Sequence, residues 1–370
     1  MNTSHINQHS LVVGVDVHKY SHTAVALDPW GKERGMLDFS NDNLPVFTSW
    51  VSSLGEQENT IVALEDVNCY GVHMVRALVS GGFHIRYVPA ILTERERKCS
   101  TKREKSDAVD AKRVAKVMLT KYEETLPARE SIAGKEELLT AQSLDLLLTE
   151  RRDLVRLKTI LKNQLHGLLH QHYGDHYADA FKKPFNKEAV AFYESDLSIL
   201  DVPNERSILA AAILRRLKRL SFVEGQITDI SKGIKDVGEG SLAVMALSEE
   251  LHGCGMVTAA SIVAELTTIR RFSTRDHLAS YAGVAPTEHS SGRKERLHTN
   301  PFGNRRLNAA FHTIALSQIA IKGDPRGREY YARKVKEGKT KLWALRCLKR
   351  QIANRVFRIL SNVTKEPPLT

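Results

Sequence analysis

No apolar run in this 370-residue chain approaches the ~18 residues a membrane-spanning helix requires. The first ten residues are polar and hold no apolar stretch of the kind a secretory leader carries, so a cytosolic setting is expected. Cysteine is scarce. Cys69, Cys99, Cys254 and Cys347 form no C-x-x-C pair and join no His/Cys cluster with zinc spacing. Reduced thiols follow, rather than a disulfide scaffold or a zinc centre. Small residues are missing where a sugar kinase or actin-like ATPase would need them. The turn after the first strand-like run holds His18, Lys19 and Tyr20, which block close approach to a phosphate. No Ser-His-Asp set is evident either.

Negative charge is in the minority. There are 54 Lys+Arg against 43 Asp+Glu, a formal net charge of +11. A field of that sign favours an anionic partner. The excess is local: residues 293–358 hold 18 Lys+Arg and 4 Asp+Glu, or +14, leaving −3 for everything else. A docking surface near the C-terminal end explains this better than general solubility. With no membrane-spanning segment, nucleic acid is the expected partner.

The length suggests about two or three domains. Leu11–Asp28 reads as two short Val/Ala-rich strands joined at His18–Ser21, and Gly35–Phe39 as a third. Leu44–Leu54 reads as a helix and Thr60–Leu64 as a compact apolar strand ending at Glu65-Asp66. Val72–Ser80 is helical and stops at Gly81-Gly82; His84–Val88 is another strand. From Asp107 the pattern is helical, with Val109, Val114 and Val117 apolar. Three strands followed by helix–strand alternation predict an α/β domain with a mixed sheet.

Beyond about residue 130 the pattern changes. Leu147, Leu154, Leu161 and Leu168 recur every seven residues with Leu157 and Leu165 between them, and Ile213, Leu220 and Ile227 repeat the spacing. Two long amphipathic helices are expected, pairing as an antiparallel coiled coil, as a dimer seam or as an ordinary bundle. Leu251–Leu266 has the shape of a helix-hairpin-helix, with Gly253 and Gly255 in the turn and a helix from near Thr258. Such a helix start offers backbone N–H groups to a phosphate; packing alone explains the segment equally well.

The stretch TKREKSDAVDAKRVAK (Thr101–Lys116) sets Asp107 and Asp110 three apart in a basic helix. At that spacing Cβ atoms lie about 5–6 Å apart on one face. Two carboxylates ~4 Å apart repel by about 4 kcal/mol at an effective dielectric of ~20. Solvent, the neighbouring Lys105 and Arg113, or a divalent cation offsets this. An isolated D-x-x-D is most simply a solvated helix face. Two more acids alter that reading. Asp16 sits inside the apolar run VVGVDV, where a charge must be compensated or neutralised. Glu65 ends a separate apolar strand. Asp16, Glu65, Asp107 and Asp110 are expected to converge at one end of the sheet, where carboxylates suit Mg²⁺. Two such ions about 3.5–4 Å apart stabilise the attacking and leaving oxygens of phosphoryl transfer. Asp66, facing the opposite way, and Asp28, at the far end of the hairpin, are left out.

This order of elements resembles the RuvC branch of the ribonuclease H-like fold. The texts GVDVHK (Gly14–Lys19), ALED (Ala63–Asp66) and KSDAVDAKRVA (Lys105–Ala115) resemble the DEDD transposases of the insertion sequence 110 family, the insertion sequence 1111 group included. LHGCGMVTAASIVAEL, FSTRDHLASYAGVAPTEHSSG and GNRRLNAAF resemble that family's C-terminal domain. The resemblance implies a RuvC-like DEDD domain over 10–128, a helical coiled-coil linker over 129–240, and a mainly helical C-terminal domain over 241–362 with a helix-hairpin-helix and a catalytic serine. The four acids become the Mg²⁺ ligands. The serine before glycine, Ser291, becomes the nucleophile that forms a phosphoserine link to DNA, with Ser290 left open beside it. Donor and target DNA, a structured guide RNA from the element itself, a homodimer or homotetramer, and a cytoplasmic, nucleoid-associated location are implied as well.

Arg293, Lys294, Arg296, Arg305 and Arg306 follow the serine closely and suit phosphate neutralisation. Phe302, Tyr330, Tyr331 and Trp343 interleave the basic residues and suit either base stacking or core packing. Two rival readings stay open: a RuvC-like junction nuclease using metal alone, and a non-catalytic nucleic-acid-binding protein.

Overall fold

Strand alternation determines which residues reach which face of the sheet. Along β1 (Leu11–Val17), Leu11, Val13 and Val15 enter one core while Val12 enters the other, so Gly14 and Asp16 share the face of Val12. β2 (Ser21–Leu27) pairs antiparallel with β1, and β3 (Glu33–Ser40) antiparallel with β2. After α1 (Leu44–Leu54), β4 (Thr60–Glu65) lies parallel to β1. After α2 (Val72–Ser80), β5 (His84–Val88) lies parallel to β4. α3 (Ala90–Cys99) and α4 (Asp107–Thr120) follow, and β6 (Leu126–Pro127) closes the edge. The strand order is β3-β2-β1-β4-β5-β6, the mixed sheet expected from the sequence. The computed structural model describes residues 6, 10–65, 71–99, 106–177, 179, 181, 183–198, 205–291, 294–299, 303–320 and 323–364, with backbone alone at 205–206, 286–291 and 294–299.

Each face of the sheet carries its own helices. Phe47 and Val51 of α1 and Met74, Val75 and Leu78 of α2 cover Val13, Val15, Val62 and Leu64. Leu92 of α3 and Ala111, Val114, Ala115 and Met118 of α4 cover Val12, Val25, Ile61 and Ala63. A strand pair buried on both faces reads as continuous apolar text, which is why Asp16 stands out in it.

The chain divides into two compact units, Met1–Leu139 with Leu266–Thr370, and Thr140–Glu265. α5 (Arg129–Ile132) is short; α6 (Lys135–Tyr173) has 39 residues, about 58 Å at 1.5 Å per residue. In the second unit α6 runs antiparallel to α8 (Glu205–Glu239), with α7 (Lys187–Leu197) packed beside them. Arg151 Nε donates to Ser231 Oγ at 3.0 Å, and Lys158 pairs with Glu224 at 2.8 Å. Leu161, Leu165 and Leu169 pack with Ile213, Leu217 and Leu220. Of the residues expected at seven-residue spacing, Leu161, Ile213 and Leu220 are buried and Leu154, Leu168 and Ile227 pack at the margin. Leu157 is 42% exposed. α9 (Leu242–Glu250) and α10 (Met256–Leu266) are joined by a turn in which Gly253 has φ +83°, and α10 starts two residues before Thr258.

The C-terminal part of the first unit is built on α14 (Lys341–Val363), which buries Leu345, Leu348, Ile352, Val356 and Ile359. α11 (Arg275–Tyr281), α12 (Arg305–Ile319) and α13 (Pro325–Lys336) pack on it. Between α11 and α12, β7 (Pro286–Ser291) and β8 (Lys294–Thr299) form an antiparallel ribbon. Among the described residues no helix is long and apolar enough to cross a membrane. Cys99, Cys254 and Cys347 are free thiols, and Cys69 lies outside the described residues.

Candidate active site

Asp16 and Glu65 reach one place through strand register. Val15 pairs with Leu64 in the parallel β1–β4 ladder, so Asp16 and Glu65 come next at the carboxyl ends of adjacent strands. Period-2 alternation turns both toward the face covered by α3 and α4. α4 brings the other two acids. Ser106 caps it, accepting from Val109 N at 3.3 Å, and Asp107 and Asp110 occupy its first turn. Carboxylates there complement the positive end of the helix.

Gly14 allows α4 to come this close. A Cβ at Gly14 would stand 2.2 Å from the Ala111 carbonyl oxygen and 2.5 Å from Ala115 N. Helix backbone therefore lies directly on strand backbone, two residues before Asp16.

The acids are held individually. Thr93 Oγ1 donates to Glu65, and the buried Arg113 guanidinium donates to Asp110. His18 Nε2 lies 3.3 Å from Asp16 Oδ2 and 3.4 Å from Asp107 Oδ2. Burial pushes the Asp16 carboxyl above its ordinary range; His18 pulls it back, and the fields of Asp110, Asp107 and Glu65 push it further up. Asp16, Glu65 and Asp110 line a cleft of about 270 Å³ with Thr93, Arg97 and Arg113. Donor atoms of Asp16, His18 and Asp107 all lie within 4.8 Å of one another. Such a set, rich in carboxylate oxygen and open to solvent, fits a divalent cation.

A carboxyl whose folded value is raised holds its proton more tightly in the folded state. Its contribution to stability is present below the ordinary range and is lost as pH rises through the raised value. Asp16→Asn is thus expected to raise the melting temperature at pH 7 without metal, by about 2 °C. It should also flatten the decline that begins above the ordinary Asp range. Thermal scans in chelator from pH 4 to 8 test this; a lower melting temperature for the variant at pH 7 would contradict it.

The other expected site residues lie in the C-terminal part. Ser291 ends β7 and pairs with Lys294; Ser290 pairs with Glu295 and His289 with Arg296. Arg305 and Arg306 are exposed in the first turn of α12, and Arg293 lies outside the described residues, as do Lys105, Asp66 and Phe302. Asp28 lies in the turn beyond β2, accepting from Trp30 N and Lys32 N, and is no part of the acid group.

Two family models match this chain: a DEDD transposase model of insertion sequence 110 type over residues 13–174, and a model of the IS116/IS110/IS902 transposase family over residues 245–332. The chain belongs to the insertion sequence 110 family of transposases. The transposase is 25% identical over 394 aligned positions to the insertion element IS116 uncharacterized 44.8 kDa protein of Streptomyces clavuligerus, covering 97% of both chains. It is 26% identical over 361 positions to the transposase for insertion sequence element IS1111A of Coxiella burnetii, covering 95% of this chain and 86% of that one. A shorter stretch of 115 residues is 38% identical to the insertion element IS110 uncharacterized 43.6 kDa protein of Streptomyces coelicolor, 31% of this chain and 28% of that one. The first model spans all four acids of the transposase.

Sequence reading missed Gly14, His18 and Thr93 as parts of this site. A glycine inside an apolar strand is a known sign of close backbone approach, so Gly14 was open to discovery. Thr93 was not, because the charged text of α3 gave no helix signal of its own.

Proposed function

We propose that the transposase cuts and rejoins DNA through a phosphoserine intermediate on Ser291, with Mg²⁺ held by Asp16, Glu65, Asp107 and Asp110. The observation that supports the cation part of this reading is the gathering of the four acids near the carboxyl ends of β1 and β4. Mg²⁺ bound there would offset charge on the scissile phosphate and the departing oxygen. Arg113 and Thr93 hold two of the carboxylates in place for it. The Ser291 Oγ–P bond forms as the P–O bond to the deoxyribose breaks; the hydroxyl proton leaves to solvent and the released sugar oxygen takes one up. Attack by the hydroxyl of the incoming strand reverses the step and frees the serine. The acids of residues 10–128 and the serine of 241–362 then act together, within one subunit or between subunits of a dimer or tetramer. Residues 129–240 form the coiled-coil linker, and the turn at Gly253 a helix-hairpin-helix.

A structured guide RNA reads donor and target DNA by base pairing in this proposal. The protein holds it through the basic C-terminal region, including Arg293, Lys294, Arg296, Arg305 and Arg306. The first turn of α12 supports this: it carries Arg305 and Arg306 and no acid. Cations at that end oppose the helix dipole by about 0.3–1 kcal/mol each, a conflict an incoming phosphate relieves. RNA copurifying with the protein is expected to be one defined species from the element.

Strand exchange with that RNA, donor and target DNA and Mg²⁺ tests the chemistry. Ser291→Ala is expected to abolish both recombination and the covalent protein–DNA species while leaving cation binding intact. Cleavage without any covalent species, in wild type and variant alike, would favour the metal-only junction nuclease. Loss of the covalent species in Ser290→Ala alone would move the nucleophile by one residue.

A further inference from the structure

His18 stands just past the end of β1, in the three-residue connection to β2, which places it at the carboxyl edge where Asp16 and Glu65 also lie. Its Nε2 bridges two carboxylates from different elements, Asp16 on β1 at 3.3 Å and Asp107 on α4 at 3.4 Å. Glu65 and Asp110 are engaged by Thr93 and Arg113 instead. The imidazole is thus placed between the two acids that those groups leave open to it. Adjacent ligands at ~2.1 Å on an octahedral ion lie about 3.0 Å apart. The separations around His18 Nε2 exceed that by only a few tenths of an ångström. With the side chain 48% exposed, the ring can also turn slightly without disturbing the core.

We infer that His18 is a nitrogen ligand to the cation, so that the centre is a mixed oxygen and nitrogen site rather than an all-carboxylate one. The inference rests on the reading of the four acids as a cation site and adds the chemical class of metal it prefers. Imidazole nitrogen binds first-row transition ions more readily than Mg²⁺. Mn²⁺ is the weakest of that series and shares the taste of Mg²⁺ for carboxylate and water, but it takes one nitrogen at less cost than Mg²⁺ does. The site is therefore tuned toward Mn²⁺ relative to an all-oxygen centre, and His18 sets that preference. A plain counter-ion, an imidazolium that leaves when the cation arrives, makes the opposite prediction: no nitrogen bound to the metal.

The test is pulsed electron paramagnetic resonance on the full-length protein loaded with Mn²⁺, alongside calorimetric titrations with Mn²⁺ and Mg²⁺. Wild type is expected to show the coupling of a directly bound imidazole nitrogen. His18→Gln should lose that coupling. It should also weaken Mn²⁺ about 10-fold but Mg²⁺ by less than about 3-fold, a split that general loss of structure would not give. Mn²⁺ bound to wild type without nitrogen coupling, or coupling that persists in His18→Gln, would overturn the role of His18 while leaving the acid site standing. Absence of Mn²⁺ and Mg²⁺ binding in wild type, or binding unchanged by Asp107→Asn with Asp110→Asn, would overturn the underlying reading itself.

Discussion

Gly14→Ala is expected to eliminate detectable strand exchange and to lower stability by about 3 kcal/mol or more. The added methyl group would lie 2.2 Å from the Ala111 carbonyl oxygen, 2.5 Å from Ala115 N and 2.9 Å from Ala115 Cβ. Two of those three atoms are helix backbone, which cannot rotate aside as a side chain does. β1 is equally fixed, paired with β2 on one side and β4 on the other. Relief therefore comes from α4 moving outward by about 1 Å or more, since interiors are packed with little free volume. That movement carries Asp107 and Asp110 away from Asp16 and Glu65. A misplacement of this size costs about 100-fold in rate even where every catalytic group is still present. Two companion variants separate the causes. Asp107→Asn should lose activity while keeping most of its stability, because its side chain is 62% exposed. Ala115→Gly added to Gly14→Ala removes only the contact at 2.9 Å and should not rescue, because the carbonyl clash remains. A Gly14→Ala protein that melts like wild type would show that α4 does not lie on the strand.

The strand end of this site was legible because strand text is local. β1, β4 and β5 are short apolar runs with clear ends, and an aspartate inside one of them calls for compensation wherever the chain goes next. The D-x-x-D pair was legible for the same reason, since helical spacing fixes its shared face. The groups that hold these acids were hidden. Thr93 is a threonine in a charged stretch, and only the fold places α3 over the end of β4. His18 looked like an obstacle to phosphate in a turn, and its nearness to Asp107 depends on how α4 docks. The long helices show a different limit. Leu157, set between the residues of the seven-residue repeat, lies outside the seam: at about 100° per residue it falls about 40° to one side of Leu161, while the buried Leu165 and Leu169 fall to the other. No strand was expected over residues 286–291, and the structure runs β7 through Ser291. Pairing across a ribbon depends on the partner strand, which no single stretch of sequence reveals.

Gly303→Ala is expected to have the largest effect at the other end of the proposed chemistry. A Cβ there would meet Gly283 Cα at 2.2 Å, Gly283 N at 2.3 Å and the Ala282 carbonyl carbon at 2.9 Å. Gly283 lies shortly before β7 and Gly303 shortly after β8, so this backbone crossing closes the base of the ribbon that carries Ser291. The crossing is also bonded. Asn304 N donates to the Tyr281 carbonyl at 2.7 Å, and Asn308 Nδ2 donates to the carbonyls of Ala282 at 2.9 Å and Gly283 at 3.2 Å. Asn308 is held in turn by Lys349, a buried ammonium on α14 that burial, with Arg346 adding, pulls down to about 8. An added methyl group must open the crossing, and the hydrogen bonds open with it. A loss of about 3 kcal/mol or more is expected. Asn308→Ala, which removes the clamp without forcing the backbones apart, should lose about 1–3 kcal/mol because it strands two carbonyls and a lysine. If Ser291 is the nucleophile, both variants should lose the covalent protein–DNA species out of proportion to their melting temperatures. Cation binding at the N-terminal acids should stay within about twofold of wild type, since β1, β4 and α4 take no part in the crossing. Retention of the covalent species in Gly303→Ala at a temperature where the protein is folded would mean that the attacking group is held elsewhere.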